Sequence, residues 1–115
     1  MKTRVLVVED DPFIRMDIAT MVEDAGFHVI EAGDADEAVT VLEREPAIRR
    51  LVTDIDMPGS MDGLKLARLT RDRWPLVEII VISGRMKPAA DELPEDAQFL
   101  SKPIMPRKLE EALAI

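Results

Sequence analysis

The sequence has no cysteine, which excludes a disulfide framework, a thiolate metal site and a thiol nucleophile. Its single histidine, His28, lies in a run that reads as a strand, so a phosphohistidine relay role for this chain is not expected. No apolar run approaches the roughly 20 residues needed to cross a bilayer. The amino terminus reaches Glu9 and Asp10 too soon to be a secretory signal. These absences imply a cytoplasmic chain with no membrane partner. Positive charge is the minority, with 15 Lys and Arg against 23 Asp and Glu and a formal net charge of -8. Direct nucleic-acid binding requires a basic patch and is disfavoured; the acidity itself is accounted for by solubility. After the first apolar run stands Glu9-Asp10-Asp11-Pro12 and no Gly-x-Gly-x-x-Gly, which argues against a dinucleotide-binding domain. There is no internal repeat, linker or low-complexity segment.

What is present suits one domain. The 115 residues suffice for one core and are too few for two. Hydrophobic residues make up 47% and charged residues 33%, an ordinary globular balance. Val5-Leu6-Val7-Val8 is a β-branched run of the kind found in a strand covered on both faces. Asp11 reads as an N-cap with Pro12 at the first helical position. Ile14, Ile18, Met21, Val22 and Ala25 then recur at helical spacing up to Gly26, which stands where a C-terminal cap belongs.

Phe27-His28-Val29-Ile30 reads as a second strand. Asp34 and Glu37 resemble a capping box opening a helix that runs toward Pro46. Leu51-Val52-Thr53 is a third strand, and Asp62 is a plausible cap for a helix closed by Trp74-Pro75. Val77-Glu78-Ile79-Ile80-Val81-Ile82 is the most hydrophobic run, expected as a central strand. Residues 85–96 contain Pro88 and Pro94 and leave room for only a short helix. Gln98-Phe99-Leu100 is a brief strand before a last helix from Pro106 that packs Leu109, Ala112 and Leu113.

Strand and helix alternate five times. Such an order predicts an α/β domain with a five-stranded parallel sheet and helices on both faces, its site at the carboxyl ends of the strands. The stretch Leu51-Val52-Thr53-Asp54-Ile55-Asp56-Met57-Pro58-Gly59 organises that edge, because an apolar strand ends in an acid and a turn follows at once. Glu9 and Asp10 follow the first strand, Ser83 ends the fourth, and Lys102 follows the fifth. Clustered carboxylates raise one another's pKa unless a cation joins them. A hard divalent ion such as Mg2+ is the natural solution, and a hydroxyl and an ammonium beside it suit phosphoryl oxygens. Taken singly, each residue also reads as an ordinary cap, turn or surface lysine. It is the joint occurrence at strand ends that carries the signal.

That set resembles the receiver domains of two-component response regulators over essentially the whole chain. The matching motifs are Val-Leu-Val-Val-Glu-Asp-Asp at 5–11, Thr-Asp-Ile-Asp-Met-Pro-Gly at 53–59, Asp-Gly at 62–63, Val-Ile-Ser-Gly at 81–84 and Phe-Leu-Ser-Lys-Pro at 99–103. The resemblance implies a flavodoxin-like doubly wound (βα)5 fold with strand order 2-1-3-4-5. It implies that Asp54 is the phosphoacceptor, that Asp10 ligates Mg2+ directly and Glu9 mostly through water, and that Asp56 offers its backbone carbonyl. Ser83 and Lys102 would hold phosphoryl oxygens, with a cis Lys102-Pro103 bond placing the ammonium, and Phe99 would be the aromatic switch.

The implied partners are a histidine kinase or phosphotransfer protein, with a kinase of the HWE type suggested by similarity to small alphaproteobacterial receivers. A downstream protein, or a second copy in a phosphorylation-dependent homodimer, would read the result. The chain would act on no substrate beyond its own phosphoryl group. It ends after its last helix, so a single-domain regulator or a truncated one is expected, acting through protein contacts or as a phosphate sink.

Departures from the family pattern are the extra Ser60, the proline-broken residues 85–96, and Phe99 in place of the commoner tyrosine. Asp56 and Arg85 lie two residues beyond Asp54 and Ser83, and an ion pair between them across the pocket mouth would hinder water and lengthen the phosphoryl lifetime. Two other readings compete. Asp54-Ile55-Asp56 resembles the Asp-x-Asp of haloacid-dehalogenase-type phosphatases, though there the motif follows the first strand. A pure interaction module without phosphorylation is the other, against which Asp10, Asp54, Ser83 and Lys102 argue.

Overall fold

The computed structural model describes residues 2–85 and 87–114. The elements are β1 (Arg4–Val8), α1 (Pro12–Asp24), β2 (His28–Ala32), α2 (Ala35–Arg44), β3 (Ile48–Asp54), α3 (Gly63–Arg73), β4 (Glu78–Ser83), β5 (Gln98–Ser101) and α4 (Pro106–Leu113). The five strands form one parallel sheet in the order β2-β1-β3-β4-β5. β3 is the middle strand, and β4 lies one place from the edge.

The period-2 geometry of the strands divides the core in two. Val5, Val7, Val52, Ile80 and Ile82 face α1 and α4, meeting Ile18, Val22, Leu109 and Leu113. Leu6, Val8 and Leu51 face the other way, toward Ala38, Leu42 and Leu66 of α2 and α3. Ile79 and Val81 join Ala67 of α3 in a third cluster on that second face. Both faces of the sheet are therefore covered, which is why its inner strands are continuous apolar runs.

The helix starts are set by their caps. Asp11 Oδ1 accepts from the amides of Phe13 and Ile14, Asp34 Oδ1 from Glu37, and Asp62 Oδ1 from Lys65. Gly26 follows α1 with φ +99°, the left-handed conformation that a C-terminal cap requires.

The expectation of five helices is corrected: the described residues contain four, and no short helix forms in the 85–96 region. Pro88 and Pro94 supply no amide hydrogen, so a helical ladder cannot be sustained between them. Two separate turns form instead: the Glu92 amide donates to Ala89 O, with Glu92 Oε1 accepting from the Ala89 amide, and the Ala97 amide donates to Pro94 O. Two cations of α3 take carbonyls that a ladder would otherwise occupy, Arg68 Nε donating to Glu92 O and Arg71 Nε to Glu95 O. Leu93 and Phe99 pack on the Ala67, Ile79 and Val81 cluster. The connection is thus a strap held by side chains.

α3 begins in direct contact with the end of β3. The Gly63 amide donates to Ile55 O at 3.0 Å. A Cβ at this position would collide with the Asp54 carbonyl and approach Ile55 Cα to 2.8 Å. Gly63→Ala is expected to destabilise the fold by about 3 kcal/mol through this backbone overlap, as read by urea denaturation. A loss below about 1 kcal/mol would show that α3 can retreat freely from Asp54.

Candidate functional site

The carboxyl ends of β1, β3, β4 and β5 lie along one edge of the sheet, and the polar residues collect there. Glu9 follows β1 directly. Its amide donates to Ala32 O of β2 at 3.2 Å, so it stays pinned to the sheet, and its side chain is fully buried. Asp54 ends β3 and Ser83 ends β4, both buried. Lys102 follows β5, its amide donating to Ser83 O, and the Lys102–Pro103 peptide is cis. Asp10 lies at the exposed rim.

Two groups of contacts result. In the first, Lys102 Nζ donates to Glu9 Oε1 at 2.8 Å and lies 3.4 Å from Asp54 Oδ1. Glu9 Oε2 accepts from the Asp10 amide at 3.0 Å. Glu9, Asp10 and Asp54 each bring a carboxylate oxygen within 4.8 Å of the others. In the second, Ser83 Oγ donates to Asp56 Oδ2 at 3.1 Å and accepts from the Arg85 amide at 3.0 Å. Arg85 Nε stands 3.7 Å from Asp56 Oδ1 at the pocket mouth. The Asp56 side chain therefore turns to Ser83 and Arg85. Phe99 is apart from both groups, partly buried beside Leu93 and Ala97.

Burial decides the charges. It pushes the Glu9 carboxyl up to about 7, the Lys102 hydrogen bond opposing and the Asp54 charge assisting. Burial likewise raises Asp54, against the pull of Lys102. For Lys102, burial favours the neutral amine but is outweighed by the Glu9 hydrogen bond and the two carboxylate charges, so its pKa rises. Asp54 Oδ1 is a buried acceptor without a hydrogen bond among the described residues, although Lys102 lies within ion-pair range. A buried acceptor left so is costly. An orphaned carboxylate oxygen beside two more carboxylates is an all-oxygen donor set, and it fits a hard dication such as Mg2+.

Ser60, the extra residue of the loop after β3, is tied down by its hydroxyl, which donates to the Asp36 carboxylate at 2.7 and 2.9 Å. The lengthened loop is thereby fastened to the first turn of α2. Sequence reasoning missed Arg15 of α1, whose Nη1 donates to Glu9 O at 2.9 Å and whose Nε meets Glu31 Oε1 at 3.2 Å. Its position among Ile14 and Ile18 marks it as polar but gives no sign of which carbonyl it reaches.

The response regulator receiver domain profile matches residues 5–114. The response regulator receiver protein CpdR of Brucella abortus (strain 2308) is 38% identical over 110 residues, covering 92% of this chain and 89% of that protein. The sensor kinase CckA of the same strain is 36% identical over 109 residues, which are 91% of this chain but 11% of the kinase. The crystal structure of a response regulator receiver protein from Sinorhizobium medicae WSM419 superposes with a TM-score of 0.88 at 29% identity, covering 98% of this chain and 92% of that one.

The Glu9 shift has a signed consequence. Without metal, the unfolded chain loses this proton above about pH 4.5 while the folded chain keeps it to about pH 7, so stability from this group is present at low pH and lost across that window. Glu9→Gln cannot ionise. In EDTA, urea denaturation should show the two proteins alike near pH 4.5, with the variant gaining up to about 3 kcal/mol relative to wild type by pH 7.5. A difference that does not change with pH would mean that Glu9 ionises normally.

Proposed function

The chain belongs to the response regulator receiver domain family of two-component systems, and on that premise we propose that Asp54 is its phosphoacceptor, loaded from a phosphohistidine with the help of Mg2+. Receiver domains as a family accept phosphoryl groups from histidine kinases or phosphotransfer proteins and bind Mg2+ in an acidic pocket. The single observation carrying the assignment is the orphaned, buried Asp54 Oδ1 at 3.4 Å from Lys102 Nζ. It is an unspent nucleophile beside a fixed cation. Family membership also displaces the haloacid-dehalogenase reading, since Asp54-Ile55-Asp56 follows the third strand of this sheet.

In the proposed reaction an Asp54 carboxylate oxygen forms the new O–P bond as the P–N bond to the donor imidazole breaks. Lys102 faces the oxygens of the transferring group, held in place by Glu9. Burial raises the Asp54 pKa in the metal-free pocket, and nearby positive charge opposes that shift. Asp10 and Asp54, with Glu9 behind them and the Asp56 carbonyl as a further donor, would hold Mg2+, which would supply such charge and help neutralise phosphoryl oxygens. The donor protein docks on the apolar margin beside Lys102. A groove lies there, lined by Ile14, Asp17, Met21, Pro103 and Ile104.

Phosphorylation adds about -1.5 to -2 charge and new acceptors. The Ser83 hydroxyl is drawn to them and gives up Asp56 and the Arg85 amide, which loosens the start of the strap packed beside Phe99. That is the two-state surface a downstream protein or a second copy reads. We attribute to the chain no turnover beyond its own phosphorylation and dephosphorylation and propose a cytoplasmic location; no helix among the described residues is long and apolar enough to cross a membrane.

Intact mass after incubation with acetyl phosphate should show one phosphoryl adduct with Mg2+, none in EDTA and none for Asp54→Asn. Lys102→Ala should slow adduct formation about 100-fold or more. Wild type without an adduct would leave a pocket used only for protein contacts. Arg85 is 81% exposed at its side chain, so its ion pair with Asp56 contributes at most about 1 kcal/mol. Arg85→Ala should therefore speed loss of the phosphoryl group by about two- to fivefold, followed by decay of the adduct mass. An unchanged decay would remove the gate.

A further inference from the structure

Asp10 presents a puzzle. It contributes a carboxylate to the cluster, yet it lies at the exposed rim. What places it is the peptide bond that carries it. The amide hydrogen of that peptide, on Asp10, is held by Glu9 Oε2 at 3.0 Å. The carbonyl oxygen of the same peptide, on Glu9, is held by Arg15 Nη1 at 2.9 Å. Both polar ends of the Glu9–Asp10 peptide are thus fixed, and the carbonyl end depends on a side chain from a different element.

Arg15 is in turn oriented from the edge strand. Its Nε meets Glu31 Oε1 of β2 at 3.2 Å, and its Nη1 runs close to Gly33, where even a Cβ would stand 3.4 Å away. The guanidinium therefore bridges α1, the end of β2 and the loop after β1, as a planar fork with several donors can. It touches no carboxylate of the acidic cluster, and its charge is the wrong sign to bind a cation.

We propose that Arg15 is a positioning residue for the metal pocket: by holding the Glu9 carbonyl it sets the peptide plane that aims Asp10, and through it the affinity for Mg2+. The inference rests on the reading of Glu9, Asp10 and Asp54 as an Mg2+ pocket. Outer partners of metal ligands commonly carry about 10- to 100-fold in affinity.

Sign separates this role from a general electrostatic one. Deleting a cation beside a dication pocket strengthens binding if charge alone matters, whereas loss of positioning weakens it. The experiment is calorimetric titration of the full chain with MgCl2, with thermal melting in EDTA alongside. Arg15→Ala is expected to weaken Mg2+ binding about tenfold or more. Arg15→Lys, which keeps one donor for the carbonyl, should recover part of that loss. Arg73→Ala, which breaks a comparable pair with Glu43 at the far end of the sheet, should bind as wild type does.

Unchanged or tighter binding by a folded Arg15→Ala overturns the inference while leaving the metal reading intact. Absence of Mg2+ binding by wild type overturns the metal reading and the inference with it. Should Arg15→Ala fail to melt cooperatively, Glu31→Gln tests the same bridge, because it frees the guanidinium without deleting it. A loss of affinity in Glu31→Gln that is matched by Glu45→Gln, which removes an equal charge from the Arg4 pair at the far end of the sheet, would be a charge effect and would overturn the proposal. A loss confined to Glu31→Gln supports it if it persists at about 1 M ionic strength, where the lost charge is screened, and overturns it if it disappears there.

Discussion

One ammonium group holds the site together. Lys102 Nζ lies within reach of two buried carboxylates that come from adjacent strands, Glu9 after β1 and Asp54 at the end of β3. Without a shared cation, two such groups out of water would repel each other and favour protonation. The ammonium opposes that protonation at both carboxylates, while burial still raises them above their ordinary values. Much else follows from satisfying this arrangement. The Lys102 amide is tied to Ser83 O, the Glu9 amide to Ala32 O, and the hydroxyl of Ser83 is turned outward to Asp56.

The apolar architecture was legible from the sequence because it depends on periodicity and local chemistry. Val5 to Val8 and Val77 to Ile82 announce strands buried on both faces, and Asp11, Asp34 and Asp62 announce helix starts through short-range hydrogen bonds to the amides just ahead of them. The polar residues of the pocket were legible as well, since each stands at a strand end and parallel strands bring those ends to one edge. Less legible were contacts spanning distant elements. That Ser60 would fasten to Asp36, or Arg15 to the Glu9 carbonyl, depends on the reach of flexible side chains and leaves no periodic trace. The missing helix between β4 and β5 was half legible. The prolines forbade a long helix, but nothing local said that α3 would supply the bonds in its place.

Polar pairing in this chain divides by depth. Pairs such as Arg73 with Glu43 and Arg107 with Glu111 are surface contacts on exposed side chains, screened by solvent and of small individual weight. The contacts of Glu9, Asp54 and Ser83 are buried, where a lost partner leaves a charge or hydroxyl stranded. The molecule therefore concentrates its electrostatic sensitivity at one edge of the sheet, while its net negative charge elsewhere is carried by residues that face water.

α3 touches both ends of the proposed signal. Its first residue, Gly63, presses on the Asp54 carbonyl, and its later turns hold the strap through Arg68 and Arg71. A helix of 11 residues is about 16 Å long, and it is seated in the core at Leu66 and Ala67 between those two ends. The strap at the far end has no ladder of its own to melt. A small tilt at the near end would then be spent on two guanidinium contacts rather than on unwinding a helix, at arginines whose hydrogen-bond partners among the described residues lie in the strap and beside β4 and not at Asp54.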